Sequence, residues 1–338
     1  MLTDALIESI LARLPSLTIG VLGDLFLDRY LDIDGALTEP SVETGLDAYQ
    51  VVRVRSYPGA AGTVINNLEA LCVERIFPIA IIGDDGEGHE LRKALGDLPG
   101  VDLQWIASWE GRRTPTYTKP MLHQAGNPPR ELNRLDIKNR QPLPADAEEL
   151  ILQALDEVWP YLDGLVVLDQ VSEIDCGVVT RRVRERLAEK GRGEPDKFVL
   201  ADSRERIMRF RNVAVKPNQR ECQRAVSEIG EIEVGAAKLA QLVGRPAFCT
   251  AGERGILLAE PTTTPIWIRG YPVDGPTDPV GAGDSTSAGI VSAMAAGATL
   301  SQAAAFGNFV ASITVQQIGT TGTATPDQVR QRWREVNN

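Results

Sequence analysis

The sequence predicts an α/β fold in which a mainly parallel sheet is covered by helices on both faces. Short runs rich in β-branched residues recur at residues 17–22, 76–82, 164–168, 198–201, 213–215, 246–250 and 256–258. Helix-like stretches at residues 145–158, 178–189 and 234–243 separate several of these runs. Alternation of this kind is typical of βαβ units. Strands that are apolar almost throughout indicate a sheet buried on both faces.

Taken in chain order, an amphipathic helix at residues 3–14 leads into the first apolar run, and two later regions break the alternation. Residues 50–55 alternate apolar and charged side chains, and residues 114–121 and 131–136 resemble strands with no helix between them. We therefore expect a small second sheet within residues 32–55 and 113–136. It should project from the main sheet of a single domain spanning residues 1–338.

Composition narrows the function classes. The chain has 338 residues and a formal charge of 35 − 46 = −11, so a nucleic-acid backbone would be repelled and is not an expected partner. No apolar run approaches the roughly 20 residues of a membrane span, so no membrane partner is expected. The four cysteines show no metal-binding spacing, and reduced thiols fit a cytoplasmic protein. The two histidines lie in different segments, which disfavours a His-based hydrolase or zinc site.

The segment DPVGAGDS at residues 278–285 leads directly into a helix of small residues at 285–296. Gly281, Ala282 and Gly283 leave backbone N–H groups unencumbered where that helix begins, which favours anion binding. Asp284 lies in the same turn, where a carboxylate can take a proton from a hydroxyl that attacks a phosphoryl group. The alternative is a glycine turn that caps an ordinary helix.

That segment resembles the C-terminal signature of the ribokinase-like (PfkB) sugar kinases, and further segments follow in family order. Residues 23–30 (GDLFLDRY) resemble the opening of the heptose kinases of ADP-heptose synthesis, a branch of the family. The other segments are PGAAGTVINN at 58–67, RLD at 134–136, KPNQRE at 216–221, TAGERG at 250–255, GNFVAS at 307–312 and IGT at 318–320. The resemblance implies a three-layer sandwich with a small β-sheet lid.

The resemblance also implies roles for individual residues. Asp284 would be the catalytic base, and Gly281, Ala282 and Gly283 would form the anion hole. The sugar would contact Asp24, Asp28, Gly59, Asn67 and Asp169. The nucleotide would contact Asn218, Thr250, Gly252, Gly255 and Asn308. Glu221 would hold Mg²⁺ through water, and Asp278 matches a position used for K⁺.

Structural explanations stand beside several of these roles. Asp24 would also serve as a turn cap, and Asn67 would serve equally as a helix-surface amide. Asn218 and Glu221 also form a good helix-capping pair. Gly252 and Gly255 also suit a hairpin turn.

The chain departs from the family pattern at two places that bear on the sugar. Ala60 and Thr63 occupy the positions where the family has a second glycine and an asparagine. The Cβ of Ala60 leaves less room for a sugar to approach the backbone. After Asp169 the sequence Gln-Val-Ser-Glu replaces the branch's usual Tyr-x-Lys-Gly, which puts an acid where a phosphorylated sugar would meet a base. Lys119, Arg112 and Arg113 remain candidate phosphate contacts, although solvated surface charge is the simpler interpretation.

The function expected from these features is ATP-dependent transfer of a phosphoryl group to a sugar hydroxyl. The alternatives are a non-catalytic sugar or nucleotide sensor and a nucleoside kinase of the same family. A NAD-dependent oxidoreductase is disfavoured because GDLFLD, not GxGxxG, follows the first strand. No His-x-Gly-His nucleotidyltransferase motif is present, so a kinase alone is expected. The alternating strand at residues 50–55 makes a homodimer through the lid plausible.

Overall fold

The structure, a computed structural model, describes residues 2–225, 231–319 and 321–337. The helices in these ranges are α1 (Asp4–Arg13), α2 (Ala61–Ala70), α3 (Gly86–Gly96), α4 (Ala145–Val158), α5 (Arg181–Gly193), α6 (Gln219–Ala225), α7 (Ile232–Val243), α8 (Ala282–Ala295), α9 (Leu300–Thr314) and α10 (Pro326–Asn337). The strands are β1 (Thr18–Gly23), β2 (Leu25–Asp34), β3 (Glu39–Pro40), β4 (Asp47–Ala48), β5 (Val51–Ala60), β6 (Arg75–Gly83), β7 (Ile106–Trp109), β8 (Thr116–His123), β9 (Arg130–Glu131), β10 (Leu135–Ile137), β11 (Gly164–Asp169), β12 (Phe198–Ser203), β13 (Ala214–Val215), β14 (Ala247–Thr250), β15 (Ile256–Ala259) and β16 (Ile266–Ile268).

The large sheet has the strand order β16-β15-β14-β13-β12-β11-β1-β6-β7. Pairing is parallel from β7 through β14 and antiparallel for β15 and β16 at one edge. β1 lies in the interior of the sheet, between β11 and β6, and is buried along its whole length. The parallel α/β sheet predicted from the sequence is confirmed.

Helices cover both faces of this sheet and bury two separate apolar cores. One core joins side chains of α1, α2, α8 and α9 to one face, and the other joins side chains of α4, α5 and α7 to the opposite face. This division explains why the strands are apolar on both sides and confirms the three-layer arrangement. None of the described helices combines the length and the apolar character needed to cross a bilayer.

The second sheet, called the lid below, consists of β2, β5, β8, β9 and β10. Its order is β10-β8-β2-β5, with β9 paired to β8, while β3 and β4 form a separate ribbon between β2 and β5. Its first strand begins at Leu25, one residue after β1, so the expected start near residue 32 was too late. Asp28 and Arg29 interrupt the apolar pattern of β2, and the pairing with β5 and β8 that makes it a strand is not local.

Ion pairs connect the lid to the body of the molecule. On β2, Arg29 places its Nη2 2.6 Å from the Oε1 of Glu90 on α3, and its Nη1 3.4 Å from the Oε1 of Glu87. The hydroxyl of Ser56 on β5 also donates to Glu90, at 2.9 Å. Both central lid strands therefore contact the same helix, which fixes the direction in which the lid projects.

Backbone strain is concentrated where the lid returns to the body. Ala60, the last residue of β5 and the N-cap of α2, has φ 52° and ψ −117°. A Cβ is disfavoured in this region of backbone space, which glycine adopts readily. The departure from the family's paired glycines therefore falls at a position where the backbone requires a glycine-like conformation.

We expect Ala60→Gly to stabilise the protein. Relief of about 1–3 kcal/mol of strain should exceed the entropic cost of a new glycine, about 0.5–1 kcal/mol, for a net gain of about 1 kcal/mol in the free energy of unfolding. Denaturant unfolding measures this quantity. The matched control is Ala61→Gly at the first residue of α2, where the change relieves no backbone strain and should destabilise the protein. A loss of stability in Ala60→Gly as large as in the control would contradict the assignment of strain.

Candidate active site

Helix α8 begins at a glycine in the left-handed conformation and points its first turn into an open cavity. Gly281 is the N-cap with φ 80°, which lets the chain turn sharply from residues 278–280 into the helix. Further along, a Cβ at Gly289 would lie 2.9 Å from the Cα of Gly307 on α9, so these small residues let the two helices pack closely. The close packing of α8 fixes the position of its N-terminus and hence of Asp284.

The cavity at this helix start, called the α8 cavity below, measures about 260 Å³. It is lined by Gln170, Asp202, Arg204, Lys216, Asn218, Glu221, Thr250, Gly283 and Asp284. Several of these residues lie at or just after the carboxyl ends of β11, β12, β13 and β14, where ligands bind in open α/β sheets. The structure thus brings together Gly283, Asp284, Asn218, Glu221 and Thr250, all of which the sequence singled out.

The protonation of Asp284 differs from that of an ordinary carboxylate. Burial, together with the nearby charge of Asp202, raises its pKa from 3.8 to about 7, against the opposing effect of Lys216 and Arg204. A carboxyl group with a pKa near neutrality accepts a proton from a reacting hydroxyl more readily than a strongly acidic one does. The environment of Asp284 therefore suits a general base.

An ion pair beside Asp284 was not assigned any role from the sequence. The Nζ of Lys216 lies 2.8 Å from the Oδ2 of Asp202, and the lysine side chain is only 3% exposed. Burial opposes the charge of Lys216, but the combined effect of Asp202, Asp284 and Glu221 is larger and raises the pKa of the lysine. The available sequence signal was the position of each residue at the end of a short buried strand, since such ends meet at one edge of a parallel sheet.

Asn218 and Glu221 form a reciprocal cap at the start of α6. The amide N–H of Glu221 donates to Asn218 Oδ1 at 2.9 Å, and the amide N–H of Asn218 donates to Glu221 Oε2 at 2.7 Å. Asn218 and Glu221 therefore both cap α6 and line the α8 cavity. Thr250 joins this segment through its own amide, which donates to the carbonyl of Pro217 at 2.9 Å.

The donor set of the α8 cavity fits a hard divalent cation that is bound together with phosphates. Asp202, Glu221 and Asp284 supply carboxylates to its wall, and Mg²⁺ prefers such oxygens while keeping several of its waters. Burial and the charge of Asp202 raise the pKa of Glu221, so a cation there would relieve repulsion between carboxylates. Among the described residues no three His, Cys, Asp or Glu side chains form a complete metal cage.

A second cavity, called the lid cavity below, lies between the lid and residues 170–178. Phe26 on β2 and Tyr117 on β8 form part of its wall, with ring centroids 5.1 Å apart in an edge-to-face contact. Gln170 and Arg204 line both this cavity and the α8 cavity, so the two are neighbours. The lid cavity measures about 30 Å³ with the lid in this position, which is far smaller than the α8 cavity.

Asp24 lines the lid cavity and at the same time holds loop 170–178 in place. Its carboxylate accepts hydrogen bonds from the backbone N–H groups of Gln170, Val171 and Val178 at 2.7–3.0 Å. Burial and the charge of Asp169 raise its pKa to about 6, although these three bonds oppose the shift. The structure therefore gives Asp24 a positioning contact that the sequence could not show.

Asp28 and Gly59 are neighbours across β2 and β5 of the lid. A Cβ at Gly59 would come within 3.0 Å of the Asp28 carboxyl group. Lys119 Nζ lies 3.5 Å from Asp28 Oδ2, and both side chains are less than one-fifth exposed. Burial raises the pKa of Asp28 although Lys119 acts against it. Lys119 is thus paired and largely buried, not the solvated surface charge expected.

The other two cations named from the sequence have different environments. Arg112 lines the lid cavity and donates to the carbonyl of Cys176 at 2.6 Å. Arg113 is 55% exposed and forms ion pairs with Asp85 and Glu87 at 3.0 and 2.9 Å. Of these two, Arg112 is the one in the wall of the lid cavity.

Three predicted contact residues form hydrogen bonds to other parts of the protein, although one atom of this set, Asn67 Oδ1, is buried and has no hydrogen-bond partner among the described residues. Asn67 is fully buried on α2, where its Nδ2 donates to the Thr63 carbonyl at 2.9 Å, so it is not the helix-surface amide of the alternative reading. Asp169 is 1% exposed, and its two carboxylate oxygens accept hydrogen bonds from Nε and Nη2 of Arg206, along one edge of the guanidinium group. Asn308 donates to the carbonyls of Ile268 and Arg269.

Three further predicted residues, Gly252, Gly255 and Asp278, lie in turns and are not among the residues that line the α8 cavity. Gly252 and Gly255 form the turn between β14 and β15, and a Cβ at Gly255 would meet the carbonyl of Ile268 at 2.2 Å. Asp278 accepts bonds from the amides of Val280 and Gly319, each at 3.0 Å, and so ties two loops together. The K⁺ role of Asp278 stays a prediction. Thr320, from the last resembling segment, lies outside the described residues.

Comparison with known structures supports the fold. The chain superposes on ribokinase from Arabidopsis thaliana, complexed with ribose and ATP, with a TM-score of 0.65 and 18% identity over 94% of this chain and 98% of that one. It superposes on phosphofructokinase-2 from Escherichia coli, in complex with potassium, with a TM-score of 0.70 and 17% identity over 95% of this chain and 99% of that one.

Comparison of sequences identifies the family. The chain is 30% identical over 325 residues to the bifunctional protein HldE of Caulobacter vibrioides, and 30% identical over 320 residues to that of Acidiphilium cryptum. The matches cover 93% and 91% of this chain but only 64% and 62% of those relatives. The model of the pfkB family of carbohydrate kinases matches residues 32–328. The chain therefore belongs to the pfkB family of carbohydrate kinases.

Proposed function

We propose that this protein transfers the γ-phosphoryl group of ATP to a hydroxyl group of a sugar. The observation that carries the proposal is the position of Asp284, a carboxylate of raised pKa in a cavity that shares Gln170 and Arg204 with the lid cavity. A nucleotide in the α8 cavity and a sugar in the lid cavity would meet at this shared wall. Proximity of this kind removes much of the entropic barrier to a reaction between two ligands.

The residues at the α8 cavity would have different roles in phosphoryl transfer. Asp284 takes the proton of the attacking sugar hydroxyl, and the amides of Gly281, Ala282 and Gly283 stabilise the charge on the transferred phosphoryl group. Lys216 lies beside Gly283, since a Cβ there would be 3.5 Å from its Nζ, and places a buried positive charge near the same group. Asn218, Thr250, Gly252 and Gly255 would contact the nucleotide.

Magnesium fits this cavity as a partner of the ATP phosphates. Glu221 would hold the ion through a water molecule, with Asn218 as support, while Asp202 and Lys216 set the surrounding charge. When bound, the ion supplies neutralisation of phosphate charge.

The lid supplies the sugar side of the site. Asp28 and Gly59 offer a carboxylate and an open stretch of backbone, and the aromatic pair of Phe26 and Tyr117 covers the cavity. Opening of the lid admits the sugar, and closure excludes water that would otherwise compete as phosphoryl acceptor. Body and lid would then act as one kinase unit.

A heptose-like sugar is the substrate that the comparisons favour. The GDLFLDRY segment resembles the heptose kinases, and the HldE proteins match over nearly all of this chain. The acid Glu173 in the wall of the lid cavity would repel a phosphate group, whereas Arg112, Lys138 and Arg204 in the same wall would attract one. The assay of this proposal therefore includes both free and phosphorylated sugars.

The proposal is tested by ADP release from ATP and Mg²⁺ across pentoses, hexoses, heptoses, their phosphates and nucleosides, with and without K⁺. We expect a sugar-dependent signal that Asp284→Asn reduces about 10²–10⁴-fold, because a general base contributes that much. A nucleoside-dependent signal would favour the nucleoside kinase. Nucleotide binding without turnover for any acceptor would favour the sensor.

The Asp284→Asn variant should also be more resistant to heat than the wild type at pH 8. The folded protein raises the pKa of this acid from 3.8 to about 7, so its ionised form costs stability fully above pH 7 and not at all below about pH 4. The gain in Tm should shrink between pH 8 and pH 5. A variant that is inactive and also less stable at pH 8 would indicate misfolding instead of a lost base.

The rate should depend on pH through the same group. Since Asp284 must be ionised to accept a proton, kcat/KM should rise with pH up to about 7 and then level off. Below the pKa, the rate should fall about tenfold per pH unit. A profile that is flat between pH 5.5 and 8 would contradict the role of Asp284. The residual rate of Asp284→Asn, which lacks the titrating group, serves as control.

We further propose that the lid pairs two copies of the chain. β5 is an edge strand of the lid, and Val51, Val52, Val54 and Tyr57 on it are 44–59% exposed. Edge strands with exposed apolar side chains pair readily with a second chain. Val52→Lys combined with Val54→Lys should convert a dimer into a monomer in light scattering, whereas Val234→Lys on the surface of α7 should not. A monomeric wild-type protein would refute this pairing.

A further inference from the structure

A third cavity lies against loop 170–178 and has a lining unlike those of the other two. It measures about 490 Å³, within the range of small-molecule sites. Its wall comprises Ile174 and Asp175 from the loop, Arg181, Arg184, Glu185 and Ala188 from α5, and Arg206, Arg209 and Arg211 from the segment after β12. We call it the arginine cavity. It contains none of the residues that line the α8 cavity or the lid cavity.

The charge of this lining is opposite to that of the whole chain. Among the described residues, five arginines and two acids line the cavity, while the complete sequence carries a net charge of −11. Each arginine in the wall of a concave site costs free energy through repulsion by the others. Positive charge gathered in one concave place on an acidic protein is the electrostatic signature of an anion site.

Two of these arginines are held by the protein itself. Arg206 is 11% exposed, binds both carboxylate oxygens of Asp169, and donates to the carbonyls of Val171 and Ser172. Arg184 is buried, donates to the carbonyl of Val179 at 2.7 Å, and lies 3.6 Å from Asp175. Both guanidinium groups are therefore fixed in position and form a rigid base for the cavity.

The other three arginines, Arg181, Arg209 and Arg211, have guanidinium N–H groups with no hydrogen-bond acceptor among the described residues. Arg181 makes a single exposed ion pair with Glu185 at 3.3 Å. The side chain of Arg211 donates to the carbonyls of Met208 and Phe210 and has no ion pair with an acid among the residues that the structure describes. Within the described part of the chain, the guanidinium of Arg209 has no hydrogen bond or ion pair. These exposed groups are free to close on a ligand above the fixed pair.

Repulsion within the cluster is visible at its most buried member. Burial lowers the pKa of Arg184, and the positive charges of Arg206 and Arg209 act in the same direction, against the opposing effect of Asp169 and Asp175. An anion placed among these groups would relieve that repulsion. Arginine forks bind phosphate oxygens through paired, charge-assisted hydrogen bonds, and fixed forks lose little entropy in doing so.

We propose that the arginine cavity binds a small phosphate-bearing anion at a site separate from the catalytic centre. Arg184 and Arg206 form its base, and Arg181, Arg209 and Arg211 supply the donors that close on the phosphate. The site takes either inorganic phosphate or a phosphate ester, since both present the same oxygens to the guanidinium groups. The inference stands on this cavity alone and does not depend on which sugar the enzyme uses.

The site is physically connected to the lid cavity through one loop. Ile174 and Asp175 face the arginine cavity, whereas Ser172, Glu173, Cys176 and Gly177 line the lid cavity. Arg206 contacts this loop at Val171 and Ser172. An anion held by Arg206 and its neighbours therefore restrains the segment that forms one wall of the lid cavity.

The test is direct binding of two probes, inorganic phosphate and glycerol 3-phosphate, to the full chain by calorimetry at low ionic strength. The combined variant Arg209→Ala and Arg211→Ala removes two exposed side chains and should leave the fold intact. We expect at least tenfold weaker binding of the better probe in this variant. The control combines Arg13→Ala and Arg192→Ala, which lowers the net charge equally at two exposed arginines outside the cavity.

Hydrogen exchange locates the bound probe. Phosphate should slow amide exchange in residues 170–178 and 206–211 of the wild type and the control, but not of the cavity variant. Tighter binding of glycerol 3-phosphate than of phosphate would identify an ester as the ligand class, and the reverse order would identify the free ion. Binding that is equal in both double variants, with protection confined to residues 281–284, would place the anion at α8 and overturn the proposal.

Discussion

The parallel pairing of strands β1 and β11–β14 brings several acidic side chains close together at one edge of the large sheet. Because these strands run in the same direction, the side chains that follow their carboxyl ends converge there. Asp24, Asp169 and Asp202 all lie at this edge and are nearly buried. Carboxylates this close together persist only when each is compensated by a cation or by hydrogen-bond donors.

Each of these acids has a different partner, and this comparison distinguishes the three acids with a structural role from Asp284. Asp169 has a bidentate arginine, Asp24 has three backbone amides, and Asp202 has the buried Lys216. Asp284 has no such partner of its own among the described residues, and its pKa rises accordingly. The uncompensated acid is thus the one placed at the anion-binding helix start, where an accessible proton acceptor is useful.

Loop 170–178 contacts both Asp24 and Arg206, the arginine that is paired with Asp169. Asp24 holds it from the side of β1, and Arg206 holds it from the side of β12, so the same loop is fixed by partners of opposite charge. It forms a wall of the lid cavity on one side and of the arginine cavity on the other. Changes in charge at either cavity therefore act on a segment that already depends on balanced electrostatic contacts.

The sequence by itself determined the alternation of strands and helices, the parallel sheet, the second sheet and the turn that carries Asp284, whereas Asn218, Glu221 and Thr250 were singled out through their resemblance to sugar-kinase motifs. The sheets depend on the local periodicity of apolar side chains, and the turn depends on glycine at a helix start. Only the tertiary structure decided the contacts of Asp24, Asp169 and Asn308, the Lys216–Asp202 pair and the arginine cavity. The partners of these side chains come from distant parts of the chain, and a polar residue does not reveal in sequence whether its hydrogen bonds are satisfied within the protein or left for a ligand.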